Sequence, residues 1–119
     1  WMELFSIRIR RTFQLVSTVY PVGTETITVQ LTNENPKSLF FGEDYWIVRK
    51  EGQQWIYLHD NGSWTDIGYG LEKGHTRTFT ARLRPLVNDN RPGTYRIIKE
   101  IGFFDSRQDW YMAAEFRIE

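Results

Sequence analysis

Cysteine is missing from this 119-residue sequence, and that absence removes thiol nucleophiles, cysteine-bound zinc and any disulfide framework from consideration. It leaves the compartment open, because a domain with a sound core folds without disulfides in oxidising surroundings too. Net charge is missing as well. Fifteen basic residues balance 15 acidic ones, so no overall field draws the chain to nucleic acid or anionic lipid. The densest basic stretch, Arg8, Arg10 and Arg11, is interleaved with Ile7 and Ile9, as on a solvated strand face. No apolar run approaches the roughly 18 residues of a membrane span. No apolar pattern keeps a 3.6-residue period for three turns, so no helix is expected.

What the chain has instead is rings: five Trp, six Tyr and eight Phe, or 16% of residues. Each buries roughly 150–250 Å², enough to fill a thin two-layer core and to exclude a disordered tail. The length is that of one domain, residues 1–119. Because it begins at Trp1 rather than Met, the chain is expected to be a trimmed piece of a longer protein, with any leader or anchor outside it.

Strand patterns recur with turn signals between them. Phe5, Ile7 and Ile9 alternate with polar residues from Glu3 to Arg11. After the turn at Tyr20-Pro21-Val22-Gly23, Ile27, Val29 and Leu31 oppose Thr26, Thr28, Gln30 and Thr32, the cleanest alternation in the chain. Residues 45–50 and 54–59 are joined at Gly52 as a hairpin. Ile67, Tyr69 and Leu71 alternate before the turn at Glu72-Lys73-Gly74, and Phe79, Ala81 and Leu83 alternate after it. Two last strands are expected from Thr94 to about Ile101 and from Trp110 to Ile118, joined around Asp105-Ser106-Arg107. Short strands spaced by turns indicate an all-β sandwich or barrel.

One segment favours the sandwich over the barrel, the alternative being a Tyr packed at an ordinary strand start. Pro92-Gly93-Thr94-Tyr95-Arg96-Ile97 has the layout of a tyrosine corner, in which a Tyr opening a late strand bonds back to upstream backbone. Ile97 then takes the core position that antibody domains fill with Cys. The expected fold is an immunoglobulin-like β-sandwich of two antiparallel sheets with about seven to nine strands.

Several runs carry a family resemblance. Phe41-Gly42-Glu43-Asp44-Tyr45 after Leu31-Thr32-Asn33-Glu34 resembles a Tyr/Phe-Gly-Glu-x-Tyr signature. Lys50-Glu51-Gly52-Gln53-Gln54-Trp55 is similar to an Asn-Gly-Lys-Trp hairpin, with Gln53 and Gln54 departing from it. Asp66-Ile67-Gly68-Tyr69-Gly70-Leu71-Glu72-Lys73-Gly74 resembles an Asp-Ile-x-Tyr-x-Leu-x-Pro-Gly element, with Lys73 in place of Pro. Pro92 to Glu100 looks like a Pro-Gly-x-Tyr-Arg-Ile-x-Lys strand, and Ala114 to Ile118 looks like the closing strand. Over about residues 24–119 the chain resembles the bacterial Ig-like domain at the end of Gram-positive lipoproteins and surface proteins. The resemblance implies a sandwich and an extracytoplasmic place, and it implies no catalysis and transfers no functional residue.

The chemistry-bearing residues do not assemble on paper into a reaction. His59 and His75 are far apart in sequence and lack Cys partners, so no metal site is expected. No Ser stands in a Gly-x-Ser-x-Gly elbow. Glu43 and Asp44 adjoin on a turn and diverge, unlike the facing carboxylates of a glycosidase. The loop from Asp60 to Asp66 is rich in oxygen ligands without the order of a calcium loop. No cofactor and no catalytic residue is expected.

Exposed rings are the better lead. With Tyr45 and Ile47 inward, alternation sends Trp46 and Val48 outward; Trp64 falls in a turn cluster, and Tyr111 opposes the inward set of Trp110, Met112, Ala114, Phe116 and Ile118. Trp46, Trp64 and Tyr111 are therefore the candidate binding residues, and Tyr95 the structural corner. The expected function is a non-catalytic extracytoplasmic module of a cell-surface protein, structural or protein-binding. The alternative is a carbohydrate-binding module for cell-wall or environmental glycans. Expected partners are other envelope proteins or neighbouring domains of the same protein, with neither nucleic acid nor membrane insertion.

Overall fold

The alternation at residues 26–33 becomes the middle strand of one layer. In the computed structural model, which describes residues 11–59, 67–103 and 109–119, strand β3 (Thr26–Asn33) lies between β1 (Arg11–Leu15) and β8 (Thr76–Arg82), antiparallel to both. Ile27, Val29 and Leu31 are buried, while the threonines between them face outward. A period of two decides this, since a slip of one residue would put Thr in the core.

The second layer has seven strands: β2 (Val19–Tyr20), β4 (Leu39–Phe41), β5 (Trp46–Glu51), β6 (Gln54–Tyr57), β7 (Tyr69–Leu71), β9 (Gly93–Phe103) and β10 (Asp109–Ile118). Its spine is the antiparallel pair of β9 and β10. Ten strands among the described residues exceed the seven to nine expected, for two local reasons. The two-residue β2 adds to the edge of β10, and in parallel, so the sheet is not wholly antiparallel. The chain facing the other side of β9 is also interrupted: β5 pairs at Trp46↔Ile98, whereas β4 pairs at Leu39↔Phe103, two residues out of step. Gly42-Glu43-Asp44 bulges out between them.

The described residues contain no helix. The strand expected from Glu3 to Arg11 lies outside the described residues except for its last position, and β1 begins there and continues to Leu15. The 66–71 alternation yields only the three-residue β7. Ile67 is exposed, because Gly68 sits against the Phe40 ring and the chain joins the sheet only at Tyr69.

The core lies between the layers in two clusters. The larger gathers Ile27, Val29, Ile47, Leu83, Tyr95 and Phe116, among others, with the Tyr95 and Phe116 rings stacked 5.4 Å apart. The smaller holds Leu31, Leu39, Phe41, Leu71, Ile101 and Met112. Tyr45 ties the layers directly, its hydroxyl accepting a bond of 2.7 Å from the Arg82 amide on the opposite sheet.

Candidate functional site

Tyr95 makes the corner that its sequence context calls for. Its hydroxyl donates to the Arg91 carbonyl at 2.6 Å, four residues upstream, while its ring is buried among the core residues. Burial pushes the phenol pKa above its usual range, with a hydrogen bond from Arg49 opposing. Arg49 also donates to Glu51 at 2.6 Å and to the Asp89 carbonyl at 2.5 Å, and Arg91 pairs with the same Glu51 carboxylate. One end of the sandwich is thereby locked, and every group in the lock is structural.

Buried asparagines fix the loops around it. Asn88 accepts from the His59 amide and donates to the His59 and Leu83 carbonyls, and Asn90 donates to Leu83 as well. At the other end Asn33 donates to the Lys37 and Leu71 carbonyls and accepts from the amide and side chain of Asn35. Gly74, at φ +80°, donates to the Asn33 carbonyl at 2.7 Å, a backbone angle that Gly adopts without strain.

Sequence reasoning missed Lys99. On β9 the inward positions run Tyr95, Ile97, Lys99 and Ile101, so a lysine occupies a core position and is 1% exposed. The bulge explains why. Its carbonyls are turned out of the β-ladder, and the Lys99 ammonium donates to those of Gly42 and Asp44 at 2.5 Å each. The rings of Phe41 and Phe79 lie 5.4 Å from Nζ. Desolvation lowers the ammonium pKa to about 8, against the opposing pull of Asp44, Glu43 and Glu100. Lys99 thus acts as the strut that holds the bulge.

The outer face of this sheet carries the candidate binding residues. Trp46 and Tyr111 point outward as expected and come together, ring centres 6.4 Å apart and planes inclined at 51°. They do so across β9, because Trp46 stands opposite Ile98 and Tyr111 opposite Glu100. The hairpin places two further rings alongside: Tyr57 opposite Val48 and Trp55 opposite Lys50. Trp55, Tyr57, Trp46 and Tyr111 form a diagonal band from β6 to β10. Val48 and Ile98 beneath it are each only 2% exposed, although they lie on the side away from the core. Trp46 and Tyr111 are half-buried and Tyr57 is 65% exposed. The Tyr111 phenol is held above its usual pKa, first by its hydrogen bond to Glu100. Arg96 lies over the Trp55 ring at 4.4 Å and pairs with Glu115 at 3.2 Å.

Trp64, the third candidate, lies outside the described residues, as do the oxygen-rich loop from Asp60 to Asp66 and the turn at Asp105-Ser106-Arg107. Among the described residues no group of three or more His, Asp or Glu is disposed to hold a metal. Trp55 and Tyr57 escaped notice because a hairpin strand of Gln-Trp-Ile-Tyr does not reveal its faces; pairing with β5 does.

Comparison with known proteins fits this architecture. The sequence matches the family model described as "Bacterial Ig-like domain" over residues 8–117. No curated protein matches. Among solved structures, the periplasmic chaperone SfaE is 13% identical with a TM-score of 0.54, over 92% of this chain and 56% of the chaperone. The alkylpurine DNA glycosylase AlkC of Pseudomonas fluorescens is 12% identical with a TM-score of 0.52, over 93% of this chain and 30% of the enzyme. At such identities the likeness is one of fold, and the chain spans only about half or less of either protein.

Proposed function

The chain belongs to the bacterial Ig-like domain family, and from that premise we propose that it serves as a non-catalytic, extracytoplasmic module of a bacterial surface protein or lipoprotein, structural in frame and protein-binding on one face. The observation that carries this reading is the contrast between two parts of the molecule. Buried polar groups such as Lys99, Asn33, Asn88 and Asn90 are spent on holding loops and the bulge rigid. Rings meanwhile collect outside the core on a single sheet face. A rigid frame presenting aromatic area is how a small sandwich offers contact surface at little cost in ordering.

The test is capture of envelope proteins by the wild-type domain and by a Trp46→Ala/Tyr57→Ala pair. Binding of one envelope protein by the wild type, lost in the pair with the thermal melt preserved, supports the reading. Equal capture by both forms overturns it.

Glycan binding is the second reading, favoured by exposed Tyr57 beside Trp46. The 51° inclination of Trp46 to Tyr111, and the Arg96 guanidinium lying over Trp55, leave little of the flat open ring surface on which sugars stack. Trp fluorescence titrated with peptidoglycan fragments and common polysaccharides decides it, a flat response rejecting it.

A further inference from the structure

A cavity lies next to the Tyr111 end of the aromatic band, sharing Glu100 with it. About 370 Å³ opens beside the bulge, lined by Asp44, Glu100, Asp109, Phe40, Gly102 and Phe103. Gly102 stands between Phe40 and Asp109 on the adjacent strands, so a residue without a side chain leaves a hollow between two that have them. Tyr111 is two residues along β10 from Asp109 and adjoins the hollow through Glu100.

The molecule uses one device repeatedly to hold a cation: a ring face with a carboxylate beside it. Arg96 lies over Trp55 and pairs with Glu115. Arg77 lies over Tyr69 at 3.8 Å, and the Tyr69 hydroxyl donates to Glu43. In a third set a ring pair stands beside carboxylates: Trp46 meets Tyr111, the Tyr111 phenol bonds to Glu100, and Asp109 lies two residues along β10. Among the described residues no arginine is recorded over these rings or against these carboxylates. Lys99 acts on Asp44 and Glu100 from the core side, with its Nζ committed to the bulge carbonyls. Among the described residues the third set has rings and carboxylates as the other two do, and it is acidic in a chain of zero net charge.

We propose that this face docks a basic, extended segment of a partner protein, seating an arginine or lysine side chain between the Trp46 and Tyr111 rings and the carboxylates of Glu100 and Asp109. The inference rests on the reading of the domain as an interaction module, and it adds the surface and the partner's chemistry. Charge complementarity picks a cationic partner, and the tilted, half-buried rings favour a guanidinium or ammonium over a stacked sugar.

The experiment titrates the 119-residue chain with capped hexa-arginine and hexa-lysine peptides by calorimetry, beside hexa-serine and a chitin hexasaccharide. Three proteins are compared: wild type, Glu100→Gln/Asp109→Asn, and Glu25→Gln/Glu34→Gln, which changes the charge equally at exposed sites elsewhere. The expected result is binding of the basic peptides alone, weakened about tenfold or more by the first pair and unchanged by the second. Thermal melts establish that both pairs fold. No peptide binding, or equal weakening by both pairs, overturns the proposal, as does binding of the saccharide with the peptides inert. An envelope protein that is captured through Trp46 and Tyr57 but is insensitive to Glu100→Gln/Asp109→Asn leaves the interaction-module reading standing and sinks the cation site alone.

Discussion

Replacing Lys99 with methionine should abolish a pH dependence of stability that the wild type shows between pH 7 and 9. A lysine in the unfolded chain titrates near 10.5, whereas in the fold desolvation holds it at about 8. The difference is worth about 3 kcal/mol at full extent, and with 1% of the residue exposed, solvent does little to screen it. Lys99 is a base whose folded pKa is depressed. Between the two values the unfolded chain binds more protons, so stability rises with pH. Below pH 7 both states are protonated and the penalty of the buried charge is complete. At pH 9 the folded state has shed most of its proton, and the gain is between about 1 and 2 kcal/mol. The series should stop at pH 9, because the phenols of Tyr20, Tyr69, Tyr95 and Tyr111 are all held above their usual 10. Acids raised in this way lose their contribution as pH climbs through the unfolded value, which would mask the lysine. Urea unfolding followed by circular dichroism at pH 7, 8 and 9 reads the effect. With a slope near 1.5 kcal/mol per molar, the midpoint should climb by roughly 1 M in the wild type. In Lys99→Met it should stay level, whatever the starting stability of that variant. A level wild-type series, or an equal climb in both proteins, would refute the placement of the ammonium in the core.

Three further outcomes follow from named contacts. Tyr95→Phe keeps the ring stacked on Phe116 and removes the hydroxyl's bonds to the Arg91 carbonyl and from Arg49, so it should cost about 1–2 kcal/mol in urea unfolding; a loss under about 0.3 would mean the corner contributes nothing. Asn33→Ala strips the Lys37 and Leu71 carbonyls and the Asn35 donors of their buried partner, and should cost about 2–4 kcal/mol, with a neutral result contradicting the hub. Glu100→Gln should bring the Tyr111 phenol back toward its ordinary pKa in a spectrophotometric titration, while an unchanged tyrosine titration would deny the contact.

How far the sequence foretold this structure depends on whether a residue obeys local periodicity or a long-range need. Ile27, Val29 and Leu31 could be placed inward because their alternation admits one register, and the core holds them there. Tyr95 was legible because the corner is a local motif whose acceptor lies four residues away. Lys99 was not, since it breaks the apolar alternation of β9 to serve carbonyls 55 and 57 residues distant. Of the binding candidates, Trp46 and Tyr111 could each be sent outward from their own strands. That they meet was hidden, because it depends on β9 lying between β5 and β10. The same holds for Val48 and Ile98, outward by alternation and yet covered by the band of rings.

On the proposed reading, the outer face of the seven-stranded sheet is where the domain meets its partner. Amide chemical shifts of the isotope-labelled chain, followed during titration with hexa-arginine, address this directly. The largest changes should fall on the strands bearing Trp46, Tyr57, Glu100, Asp109 and Tyr111. Changes confined instead to the loop ends around Leu86 or Gly23, or to β1 and β8 of the opposite sheet, would contradict it.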